Sequence, residues 1–191
     1  MKAIKLIASA IILLSISILN GFSQTDLNFS PAKVDYDAYE KLVGEVKEHR
    51  KARLVNLQTF QKMAKEEKTI ILDTRSDAMY ASKHVKGAIH LNFADFTQTN
   101  LARIIPSPDY KILIYCNNNF DNDEINFASK AYVPKVTNNK EKALTLALNI
   151  PTYINLYGYG YKNVYELNEL ISVYSGVVEF EGTSVYKKIG K

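Results

Sequence analysis

Cys116 is the only cysteine in the 191-residue chain, and it closes the apolar run Lys111-Ile112-Leu113-Ile114-Tyr115. Behind it comes the polar stretch Asn117-Asn118-Asn119-Phe120-Asp121. A thiolate is a strong nucleophile, and backbone amides turned inward around a sulfur favour it as an anion-binding nest does. Asparagine tolerates the left-handed backbone that such a loop requires. Asp121, Asp123 and Glu124 work against this, because nearby carboxylates disfavour both a thiolate and an approaching dianion. A second polar segment, Asp73-Thr74-Arg75, ends the apolar run Thr69-Ile70-Ile71-Leu72. If the two runs are neighbouring strands, Arg75 can supply a cation to the sulfur. The competing readings are plain: Cys116 as a buried strand-end thiol, and Arg75 as an ion-pair partner of Asp73.

Other chemistries find no support in residue spacing. The three histidines, His49, His84 and His90, are scattered and share no metal-ligand spacing with the lone cysteine. Neither a phosphate-binding glycine loop nor a serine elbow is present, and no cofactor is expected.

The elements that must position Cys116 alternate short apolar strands with short amphipathic helices, the pattern of an α/β domain with a mainly parallel sheet. Tyr36, Tyr39, Leu42, Val43 and Val46 recur at helical spacing. Strands are expected at Arg53-Leu54-Val55, Thr69 to Asp73, Ala88 to Leu91, Lys111 to Tyr115 and Asn163 to Leu167. Asn56, Ser76 and Asn149 read as helix N-caps, and one helical stretch carrying Phe93, Phe96 and Leu101 is expected to run to the Pro106-Ser107-Pro108 break. Ligands of such sheets sit beyond the carboxyl ends of the strands, where both polar segments fall. Residues 122–148 exceed what a crossover needs, and they are expected to form a surface insertion containing a hairpin.

Four blocks in order resemble the rhodanese-like family: Ile71-Leu72-Asp73-Thr74-Arg75; Tyr80 with His84-Val85-Lys86-Gly87-Ala88-Ile89-His90-Leu91; Ile112-Leu113-Ile114-Tyr115-Cys116; and Gly160-Tyr161-Lys162-Asn163-Val164-Tyr165-Glu166-Leu167. The resemblance implies a five-stranded, mainly parallel sheet flanked by helices on both faces, with the domain over 52–175, a polar lead and helix over 24–51 and a tail over 176–191. It also implies a sulfurtransferase that carries sulfur as a persulfide on Cys116. The loop from Asn117 through Asn118, Asn119 and Phe120 to Asp121 would cradle the sulfur, with Arg75 beside it. The implied partners are a small sulfur donor and a thiol or protein acceptor. Two alternatives remain open: a non-catalytic module that binds a partner protein through the Asn-rich loop and the hairpin of the insertion 122–148, and a redox protein acting by mixed disulfide. The departures from the family are marked. The loop lacks the usual Gly, Ser and Arg, Asn122 stands where phosphatases of this fold place arginine, and Asn168-Glu169 replaces paired glycines.

The first 23 residues read as an export signal: Lys2 and Lys5, an apolar run from Leu6 to Leu19, then small Gly21 and Ser23. A periplasmic or secreted protein is expected. Cleavage removes two of the 24 basic residues, leaving 22 against 20 acidic ones. A net charge of about +2 is too balanced to argue for nucleic acid or an acidic membrane as partner.

Overall fold

The computed structural model describes residues 29–132 and 144–185. The expected leader 1–23, the stretch 133–143 within the insertion and residues 186–191 lie outside the described residues. The chain divides into two units, Met1–Asp35 and Tyr36–Lys191. Residues 29–35 of the first hold no helix or strand, so every described element belongs to the second.

Helix α1 (Tyr36–Lys51) carries Asp37 in its first turn and His49, Arg50 and Lys51 in its last, charges that suit the helix dipole at both ends. After β1 (Leu54–Val55) comes α2 (Leu57–Met63), whose cap Asn56 accepts the Thr59 amide. Next are β2 (Thr69–Asp73) and α3 (Asp77–Ser82), with Ser76 as its cap. Then come β3 (His84–Val85), β4 (Ile89–His90), α4 (Gln98–Ile104) and β5 (Lys111–Ile114). The remainder is β6 (Phe120–Asp121), β7 (Ala131–Tyr132), β8 (Leu144–Thr145), α5 (Asn149–Gly158), β9 (Val164–Leu167), β10 (Ile171–Ser172) and β11 (Phe180–Glu181).

Five of these strands form one sheet in the order β1-β9-β5-β2-β4, with every neighbouring pair parallel. Side chains alternate across a strand, and the core divides accordingly. Ile112 and Ile114 enter one cluster with Leu72, Val46, Leu101 and Tyr153, which brings α1, α4 and α5 to that face. Leu113 and Tyr115 enter the other with Phe60, Phe120 and Phe127. The fold is therefore α/β, a five-stranded parallel sheet with helices on both faces.

Several local expectations change. Asn149 sits inside the first turn of α5, and Leu148 is the cap, without a side-chain hydrogen bond. The Asn149 side chain turns instead to Glu166, to which its Nδ2 donates. The stretch expected as one helix splits into a 3-10 turn at Phe93–Asp95 and α4. The insertion holds a hairpin, since β7 and β8 pair antiparallel. Its opening is nonetheless part of the core, because Phe127 is 1% exposed among Phe120, Phe180 and Tyr115. The tail contributes as well: β11 pairs antiparallel with β3. A Cβ at Gly182 would fall 2.3 Å from the Ser82 carbonyl oxygen, so only glycine lets the tail come this close.

Candidate active site

Hydrogen bonding along β5 brings the chain to the carboxyl edge of the sheet and delivers Cys116 there, 1% exposed. The next three residues, Asn117–Asn119, form a tight 3-10 turn rather than a wide loop. Three bonds of the Asn119 side chain fix that turn. Its side-chain oxygen accepts the Cys116 amide at 2.8 Å, and its amide nitrogen donates to the Leu167 and Glu169 carbonyls at 2.8 and 3.1 Å. The chain then leaves as β6, parallel to β10, and turns at Asn122 with a positive φ of 68°.

A hydrogen-bond donor to the sulfur comes from the far end of the insertion. The backbone amide of Leu148 donates to Cys116 Sγ at 3.2 Å. Leu148 caps α5, so the sulfur faces the positive end of a ten-residue helix. The segment before it is held down by Asn118. The Asn118 side-chain oxygen accepts the Lys130 amide at 2.9 Å and its Nδ2 donates to Thr145 Oγ1 at 3.3 Å, while Leu146 N bonds Lys130 O at 2.7 Å. With Ala147 4% exposed, this arm covers the sulfur.

Arg75 is 3% exposed, and both its ends of the fork are occupied. Asp73 takes Nε and Nη2, the Lys83 and Asn126 carbonyls take Nη2 and Nη1 at 2.6 and 2.9 Å, and Asn117 Oδ1 lies 3.3 Å from Nη1. Its charge reaches the loop only by orienting Asn117. Tyr115 completes the cluster, donating from its hydroxyl to Asp73 and accepting the Val85 amide. Burial, and then the Asp73 carboxylate, push the Tyr115 phenol well above its ordinary value, which keeps the proton there for that bond.

The acidic side chains expected to oppose the thiolate do not act as a group. Asp121 is exposed and accepts the Asn122 amide next to it. Glu124 is also exposed and accepts Ser129 N at 3.3 Å. Asp123 pairs with Lys83 at 2.7 Å and binds Asn126. Burial works to raise the Asp123 pKa, but Lys83 and Asn126 outweigh it and the net shift is downward.

Residues that sequence reasoning passed over complete the surroundings. Glu166, 2% exposed on β9, forms a two-pronged pair with Arg50 of α1 and accepts from Asn149 of α5. A glutamate on the buried face of the apolar strand Val164–Leu167 was the available signal, since such a charge needs a partner. His84 and His90 both stack on the Tyr80 ring. Among the described residues no three His, Cys, Asp or Glu side chains gather as metal ligands would.

The fold is thus a parallel sheet covered by helices on both faces, with a cysteine at the carboxyl edge after its central strand. The family model for the rhodanese-like domain matches residues 56–174, and the chain belongs to that family. Among solved structures, it is similar to the BH2092 protein from Bacillus halodurans, at 17% identity over 78% of this chain and 88% of that one, with a TM-score of 0.47. It is also similar to wild-type EanB, at 19% identity over 60% of this chain and 23% of that one, with a TM-score of 0.39. No curated protein matches the chain.

Proposed function

We propose that the protein is an exported sulfurtransferase that carries sulfur on Cys116. The observation behind this reading is the Leu148 amide on the Cys116 sulfur at the start of α5. An amide and a helix N-terminus both favour negative charge on the atom they face, and the thiolate is the form that attacks. In the proposed step the thiolate attacks the outer sulfur of a persulfide R–S–SH. A sulfur–sulfur bond forms on Cys116, the donor's sulfur–sulfur bond breaks, and R–S⁻ leaves and takes a proton from water. A thiol acceptor reverses the exchange, so no outside oxidant is needed. Asn117 to Asp121 line the approach in this reading, and Arg75 holds Asn117 in register. The leader-like first 23 residues support export.

Mass spectrometry of the protein after exposure to a low-molecular-weight persulfide tests the proposal. Cys116 is expected to gain the mass of one sulfur atom, and Cys116→Ser to gain none. Absence of that gain from the parent overturns the reading. Intact mass of the exported product tests the leader, with a start at or near Gln24 expected.

A second reading draws on a different observation, the 1% exposure of Cys116 beneath the insertion arm. In that reading the domain is a non-catalytic module that binds a partner protein through the insertion. A Cys116 inert to small alkylating reagents, together with persistence of the partner complex in Cys116→Ser, would favour it.

A further inference from the structure

On the α2 face of the sheet, a cavity of about 450 Å³ opens between α2, β3 and the tail. Neither Cys116 nor Leu148 lines it, so it is separate from the sulfur. Leu57, Phe60 and Ala64 recur at helical spacing along α2 and its cap, and they present one apolar face to the cavity. Ile71 of β2 and Val178 of the tail extend that surface. At the rim Val177, also a wall residue, is 52% exposed. Ligand cavities run from about 300 to 1,000 Å³ and combine mostly apolar walls with a few polar groups. This cavity has both properties, and water in it finds few partners, so an apolar body that displaces the water gains affinity.

The polar groups in the walls are nearly all committed to the chain. Gln61 Nε2 donates to the Val177 carbonyl at 2.6 Å. The Lys86 ammonium pairs with the Glu179 carboxylate at 2.7 Å, and the Lys86 amide donates to the Glu179 carbonyl at 2.9 Å. Lys86 and Glu179 therefore cancel. Lys65 remains: it lines the cavity, its side chain is exposed, and no carboxylate among the described residues pairs with it. The neighbouring Glu66 is taken by Lys111. The cavity thus joins an apolar groove to one uncompensated positive charge at an accessible position.

We infer that this cavity binds a small amphipathic anion, with a short acyl chain against the α2 face and its carboxylate at Lys65. The apolar walls supply the affinity, and Lys65 selects the sign of the head group. The inference is independent of the reading of Cys116 as a sulfur acceptor, since the two sites share no lining residue.

The test titrates the isotope-labelled full chain with octanoate and with octylamine, which carries an ammonium in place of the carboxylate. Octanoate is expected to shift the methyl signals of Leu57, Ile71 and Val178, and to bind at least about fivefold more tightly than octylamine. In the series from butanoate upward, each added methylene should tighten binding about fourfold until the cavity is filled. Lys65→Met should weaken octanoate about two- to fivefold, and Lys65→Glu should reverse the preference between the two head groups. Unmoved cavity methyl signals, equal binding of octanoate and octylamine, or an affinity indifferent to chain length would each overturn the inference. Sedimentation of the free chain supplies the remaining arm: a monomer is expected, and a dimer that octanoate dissociates would assign the groove to a second copy of the chain and overturn the anion reading.

Discussion

The amide of Leu148 reaches the sulfur of Cys116 across 32 positions of sequence, at 3.2 Å. The insertion thus ends back against the residue that heads the turn after β5, and Asn118 holds both of its arms there through Lys130 and Thr145. Asn118→Ala removes those two bonds, each worth about 1 kcal/mol. Opening of the arm should become up to about thirtyfold more frequent. Labelling of Cys116 by a bulky maleimide should accelerate more than labelling by iodoacetamide, and identical rates in parent and variant would show that the arm is no barrier.

Arg75 and Asp73 are 3% and 0% exposed, and removing one partner of such a pair leaves the other charge buried and alone. Burial works to lower the Arg75 pKa, and Asp73 more than offsets it. Arg75→Met should lower unfolding free energy by about 3–5 kcal/mol in urea titration. Arg75→Lys should also destabilise, because an ammonium lacks the fork that reaches Asp73, Asn126 and Lys83 together.

The difference between what was legible and what was not follows from the range of the interactions. Strand alternation and the caps Asn56 and Ser76 are local, and the patterns around Ile112, Leu113 and Ile114 placed the sheet and put Cys116 at its edge. The contacts that define the sulfur's surroundings are not local. Leu148 meets Cys116 across 32 residues and Arg50 meets Glu166 across 116, and no spacing rule reports either. Asn149 misled for a related reason: its type suits a cap, but a long-range bond to Glu166 draws its side chain away. Proximity in sequence likewise does not report Lys83, which neutralises Asp123 from just beyond α3.

The insertion separates into a part the core requires and a part it does not. Phe127 packs against Phe120 and Phe180 with ring centroids 4.6 and 5.5 Å apart. Phe127→Ala should cost about 3–5 kcal/mol, as other buried Phe truncations do. Replacing residues 131–145 by a short Gly-Ser linker should cost far less, since loop length enters only logarithmically. Paired urea titrations check both, and equal losses would mean the hairpin is structural throughout.

Lys83 and Asp123 make stability depend on acid. The Asp123 pKa lies below its ordinary 3.8 in the folded chain. A depressed carboxylate stabilises the fold above the unfolded value and loses that contribution as pH falls through the folded one. Lys83→Met should therefore destabilise at pH 7, and the gap from the parent should narrow below about pH 4. Thermal unfolding across that range measures it, and a gap independent of pH would exclude the ion pair as its source.

Helix α1 lies outside the matched residues 56–174, yet it supplies the partner of a buried charge. Glu166 cannot leave β9, where Val164 and Leu167 fill the two faces of the strand, so its carboxylate depends on Arg50 and Asn149. The bond to Glu166 raises the Arg50 pKa, which keeps the cation in place at any accessible pH. Arg50 is 30% exposed, so solvent screens part of the pair. Arg50→Ala should cost about 2–3 kcal/mol, less than the 3–5 of a fully buried pair. Glu166→Gln should cost less still, because glutamine keeps an acceptor for Asn149 and strands no charge. Once Glu166 is neutral, adding Arg50→Ala should cost only the packing of its stem, so the double variant should be more stable than Arg50→Ala alone. A double variant less stable than Arg50→Ala would show that α1 is held by packing around Val46, not by its charge on the sheet edge.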